Sequence, residues 1–112
     1  MIKLTIEVKA KQGKIQELYQ TLQGLLPTIR KEKGCRDCRI YKDVEDGGAF
    51  SLSVDWEKEA DIGQYMWSSS GSVLLGAADL LSETARVRIG DAPWEGIETL
   101  KRIRKREYDN KP

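Results

Sequence analysis

The 112-residue sequence contains no histidine. That absence excludes a Ser-His-Asp triad, a Cys-His dyad, an HExxH zinc site and a histidine-ligated haem built from this chain alone. Cysteine is scarce as well: two residues cannot form the disulfide framework on which small secreted folds depend. Neither charge sign is in excess, since 19 Lys and Arg against 18 Asp and Glu leave a net +1. Whole-chain charge therefore points neither to a nucleic-acid partner nor to an acidic disordered chain. No long apolar run occurs; the longest uncharged stretch, residues 62–78, is rich in Ser and Gly and too polar to span a bilayer. The opening residues alternate and carry charge, unlike a secretory leader. What is present, 39% hydrophobic residues in a chain of this length, suits one globular domain. The expectation is a soluble cytoplasmic protein without a membrane partner.

The period of the apolar residues changes along the chain. Ile2, Leu4, Ile6 and Val8 alternate with Lys3, Thr5, Glu7 and Lys9, the signature of a strand with one buried face. After Gly13, residues Ile15, Leu18, Tyr19, Leu22, Leu26 and Ile29 fall at helical spacing. Pro27 lacks an amide hydrogen, so a kink or a second short helix is expected near Leu25 or Leu26, with Gly34 as the C-terminal cap. Residues 35–42 and 49–56 read as strands around an Asp46-Gly47-Gly48 turn. Residues 59–67 read as a short helix, and a serine of Ser68-Ser69-Ser70 is placed to cap another that carries Val73, Leu74, Ala77, Leu80 and Leu81. Residues 84–89 alternate again. Beyond Pro93, the stripe Trp94, Ile97 and Leu100 predicts a further helix of about three turns. The order is β-α-β-β-α-β with an appended helix: an α+β, ferredoxin-like fold with a four-stranded antiparallel sheet. We divide the chain into a domain at 1–92 and a helical extension at 93–112.

The two sheet faces differ in kind. Ile2, Leu4, Ile6, Val8, Phe50, Leu52, Val54, Trp56, Ala85, Val87 and Ile89 form the helix-facing set. The opposite face is polar and mixed in sign, with Glu7 and Asp55 available to Lys3, Lys9, Arg86 and Arg88. It is either simply wet or self-complementary in a two-fold homodimer. The stripe of the last helix is expected to pack on that partner or over the mouth of a pocket. Cys35 and Cys38 form a CxxC that follows a helix and enters a strand, so alternation puts the thiols on opposite faces as structural cysteines. The basic run 101–106 has no aromatic platform, and residues 93–112 hold six basic and four acidic residues. It reads as a solvated helix end, not a nucleic-acid contact.

Several of these passages resemble a family. The opening strand and helix, Leu26-Pro27-Thr28-Ile29-Arg30-Lys31-Glu32-Lys33-Gly34-Cys35, the strand Leu52-Ser53-Val54-Asp55-Trp56, and the helical pair Ile62-Gly63-Gln64-Tyr65-Met66-Trp67-Ser68-Ser69 and Val73-Leu74-Leu75-Gly76-Ala77 are similar to the antibiotic biosynthesis monooxygenase domain. The resemblance covers roughly residues 1–90 and implies a dimeric α+β barrel with a pocket between sheet and helices. It also implies oxidation of electron-rich phenols or quinols by oxygen with no metal or flavin cofactor. Many members carry His where Tyr65 stands here. Haem-degrading relatives bind iron through a histidine on the second half of the helical pair, and residues 74–78 have none.

The expected substrate-binding residues are Trp56, Tyr65, Leu22, Phe50 and Met66. An indole wall stacks on an aromatic ring and its N–H orients a phenolic oxygen. A protein base is missing. Asp55 and Glu57 alternate away from Trp56, so catalysis needs a substrate that ionises unaided or a strongly tuned Tyr19 or Tyr65. Two readings stand: a cofactor-independent monooxygenase acting on a small aromatic or quinol, or a non-catalytic dimeric module of the same fold that binds a small ligand.

Overall fold

Alternation opens the chain as β1 (Ile2–Ala10), in which Leu4, Ile6 and Val8 are buried while Lys3 and Lys9 face water. The computed structural model describes residues 1–110. A turn through Gly13 leads to α1 (Ile15–Arg30), whose stripe Leu18, Leu22, Leu25 and Ile29 is buried. The second short helix expected near Leu25 or Leu26 does not form, because α1 runs through Pro27 as one helix of 16 residues. Pro27 forfeits only the bond to the Gln23 carbonyl. Both residues are exposed, and Leu25 and Ile29 hold the last turn on the core. Nor does Gly34 cap the helix: Lys31 does, donating its N–H to the Thr28 carbonyl. Gly34 instead turns the chain at φ +87°, where a Cβ would overlap the carboxylate of Asp61.

The chain continues through β2 (Cys35–Lys42), β3 (Ala49–Trp56), α2 (Glu59–Trp67), α3 (Ser69–Leu81) and β4 (Ser82–Ile89). Ser68 caps α3, accepting from the Gly71 N–H at 3.1 Å. With a fifth strand after Pro93, β5 (Glu95–Gly96), the strands pair antiparallel in the order β2-β3-β1-β4-β5, leaving β2 and β5 at the two edges. The first four in that order are the ferredoxin-like sheet. The fifth, β5, pairs with Arg86 and Val87 of β4, where the apolar stripe predicted the start of a helix. Two residues carry no alternation to read. Trp94 consequently lies outside the helix, with the Arg86 guanidinium 4.2 Å above its ring.

On the polar sheet face two sets of cross-strand neighbours are ion pairs. Lys3 sits opposite Asp55 at 2.8 Å, and Glu7 sits opposite Arg86 at 2.6 Å. The opposite face carries the core. A register shift between Cys35 and Asp37 sets Cys35 against Trp56 and Cys38 against Val54. This bulge cancels the simple alternation, so both thiols face the helices instead of opposite sides. Cys38 is buried and Cys35 half-buried, and both are free thiols.

The last helix, α4 (Glu98–Asp109), packs on α2 of its own chain. Ile97 and Leu100 are buried there, so two of the three stripe residues expected to meet a partner or a pocket mouth are used internally. Arg104 donates to the carbonyls of Met66 and Ser68 at the end of α2. The Trp67 and Tyr108 rings lie 5.1 Å apart, and Lys101 pairs with Asp79 at 2.8 Å.

Candidate functional site

Alternation along β3 brings Phe50, Leu52, Val54 and Trp56 to the helix side, and all four are buried. Trp56 ends the strand. Tyr65, from the second turn of α2, lies over it with ring centroids 5.6 Å apart. The tyrosine hydroxyl shares a 2.8 Å hydrogen bond with Ser70 Oγ. Ser68 makes this contact geometrically available, because its cap turns the chain directly from α2 into α3. Ser70 was legible in the sequence only as a candidate cap, and its role beside Tyr65 had no signal there.

The indole Nε1–H of Trp56 is buried and has no acceptor among the described residues. An unpaired buried donor costs about 1–3 kcal/mol. Such a group marks a place where something other than the protein's own side chains is accommodated, or where strain is kept. Burial pushes the Tyr65 phenol up to about 12, against the opposing effect of the Ser70 hydrogen bond. Burial likewise pushes the Cys38 thiol up to about 12, helped by neighbouring Cys35. Both groups are therefore neutral donors at neutral pH. Asp55 and Glu57 are engaged elsewhere, by Lys3 at 2.8 Å and Arg36 at 2.9 Å. Buried Asp61 accepts from the Lys58 N–H at 3.1 Å and caps α2. Among the described residues no three His, Cys, Asp or Glu side chains come together as a metal site.

The five residues singled out from the sequence all belong to one buried core, along which they are spread. Trp56 and Tyr65 touch, while Leu22 and Met66 are buried in the core. Phe50 stands six residues from Trp56, which is about 20 Å along a strand, and stacks instead on Tyr19 at 5.7 Å. Among the described residues, hollows open at the surface. One of about 370 Å³ lies on the polar sheet face around Glu7, Tyr41 and Arg86, and one of about 410 Å³ lies between α2 and α4. The third, also about 370 Å³, opens between α1, β2 and β3 beside Tyr19 and Phe50. None of the three is lined by Trp56, Tyr65, Leu22 or Met66. At the Trp56 end, large side chains fill the space that strand and helix periodicity left unassigned.

Sheet order and helix placement define a ferredoxin-like α+β protein. The antibiotic biosynthesis monooxygenase domain matches residues 1–70, a span that includes Trp56, Tyr65 and Ser70, and the chain belongs to that family. Solved structures agree in fold. An antibiotic biosynthesis monooxygenase is 19% identical with a TM-score of 0.74, over 83% of this chain and 99% of its own. A Pseudomonas aeruginosa protein is 18% identical with a TM-score of 0.73, over 79% and 89%. A conserved protein of Methanosarcina mazei is 21% identical with a TM-score of 0.70, over 79% and 88%. No curated protein matches the chain. No helix among the described residues is long and apolar enough to cross a membrane.

Proposed function

We propose that this chain is a cofactor-independent monooxygenase that oxidises a small aromatic or quinol with O2 at the Trp56–Tyr65 end of the space between sheet and helices. The observation that carries this reading is the buried Trp56 indole N–H with no acceptor, beside the Tyr65 hydroxyl. Two neutral donors in an apolar site stabilise an oxyanion far better than they would in water. With Tyr65 and Cys38 held protonated, the proton leaves an acidic substrate to solvent before the substrate is enclosed. The bound anion passes one electron to O2, and the substrate radical and superoxide combine into a carbon peroxide anion that takes one proton back from solvent to become the hydroperoxide. Loss of water from it leaves a carbonyl. One oxygen atom stays on that carbon, and the other departs as water with the two hydrogens the substrate gives up, one from its hydroxyl and one from the carbon. Entry requires movement of the side chains that close the cluster.

The proposed working unit is a homodimer in the cytoplasm, joined through the polar sheet face, whose paired charges of both signs suit isologous contact. The same raised tyrosine also favours the second reading, a non-catalytic ligand-binding module. Oxygen uptake on a panel of hydroquinones and polycyclic phenols separates the two, using metal-stripped protein beside Trp56→Phe, which removes the N–H but keeps an aromatic ring. Uptake above the spontaneous rate, reduced roughly 100- to 1000-fold in the variant as for loss of an oxyanion donor, supports the oxygenase. No uptake on any compound, with saturable binding retained, supports the binding module.

A further inference from the structure

We propose that the hollow between α1, β2 and β3 is a second small-molecule site, distinct from the Trp56–Tyr65 cluster, and that it takes a planar aromatic carboxylate. Its walls are Ile15, Gln16, Tyr19, Ile40, Lys42 and Phe50, around about 370 Å³, within the range of small-ligand pockets. Tyr19 and Phe50 stack at 5.7 Å with 29° between their planes. They give an aromatic surface against which a flat ring lies well. Ile15 leaves 44% of its surface in water, apolar area that a ligand ring would cover.

The polar lining has one sign. Lys42 is the only charged residue of the six, and no salt bridge ties it to another described residue. Two of the nearby acids, Asp43 and Asp46, are engaged by other groups. Asp43 accepts from the N–H groups of Glu45 and Asp46, and Asp46 accepts from Gly48 and pairs with Lys9 at 3.4 Å. Gln16 adds an amide. Ile15 and Gln16 are also the first residues of α1, an end that no side chain caps and where the backbone dipole favours an anion. A single ammonium with one amide suits a monoanion; nothing here forks around a phosphate as arginines would.

The test is a titration of 15N-labelled full-length protein with 2-naphthoate, with 2-naphthamide as the uncharged ligand of the same shape. Two exposed substitutions accompany it, Lys42→Gln and Gln16→Glu, neither of which removes a core contact. Saturable shifts are expected in the amides of residues 15–19 and 40–42 and not in the Trp56 indole. Each variant should weaken 2-naphthoate roughly three- to fivefold, the scale of one exposed charge interaction, and leave 2-naphthamide unchanged. Absence of saturable shifts at these residues, or equal 2-naphthoate affinity in Lys42→Gln, would overturn the proposal. Shifts centred on the Trp56 indole would also overturn it and would place the ligand in the oxygenase site instead. Failure of the oxygen-uptake experiment leaves this result untouched, because binding here is read directly.

Discussion

Burial acts on Tyr65 and Cys38 in the same direction, raising each to about 12 from ordinary values of 10.0 and 9.0. A group whose pKa rises on folding gives up its proton more easily in the unfolded chain. The stabilisation is therefore complete below pH 9 and is lost as pH climbs through 9 and 10 toward 12. Thermal unfolding followed from pH 7 to 11 should show a constant midpoint up to about pH 9 and a decline above it. Cys38→Ala should begin from a lower midpoint, because a buried sulfur is removed, and should decline less between pH 9 and 10 than the parent does. Equal alkaline slopes in the two proteins would exclude Cys38 as the source. Trp56 differs in kind: its indole does not titrate, so whatever it contributes is independent of pH.

At the level of elements, α4 works as a clamp on α2. Arg104 reaches the carbonyl of Met66 in the last turn of α2 and that of Ser68, which also accepts from the Ser72 N–H of α3, and its guanidinium lies 5.5 Å from the Trp67 ring. Arg104→Met keeps the stem and removes the donors. It should cost about 1–2 kcal/mol in urea unfolding, toward the lower part of the range for charged hydrogen bonds. Amides around residues 65–72 should exchange faster in the variant, and unchanged exchange there would show that the clamp does not act on the α2–α3 junction. Most of the elements were legible in the sequence because each carries its own period. The four long strands alternate, α1 repeats at three and four, and Ser68 stands where a cap belongs. What was not legible depended on partners distant in sequence. β5 exists only by pairing with β4, the bulge at Cys35–Asp37 only by register against β3, and the continuity of α1 through Pro27 only by the core beneath it. For the site, alternation and helix spacing identified Trp56 and Tyr65 as inward-facing. Periodicity says which way a side chain points and nothing about whether space remains beside it, so the filled Trp56 end and the open Tyr19–Phe50 end were equally invisible.

For the whole molecule, the proposed homodimer sets the polar sheet face against its own copy. Lys3–Asp55 and Glu7–Arg86 already neutralise one another within the chain, which makes this face cheaper to bring against a second one than four lone charges would be. Replacing Glu7 and Asp55 together by Lys leaves both pairs like-charged. Sedimentation equilibrium should then report a monomer where the parent protein gives twice the chain mass, with the far-UV spectrum retained. A dimer that survives the double substitution would place the interface on another surface.

The outermost position of β2 bears on solubility. An eight-residue strand with one unpaired edge is a template onto which any other extended chain can zip. In β2 this edge carries Arg36, Asp37, Arg39 and Lys42, and a bulge falls at its start. Charge and irregular register are two of the devices by which sheet proteins keep neighbouring chains from adding on. Of the four long strands, the one that buries fewest residues thus carries the charges that disfavour addition of a further strand.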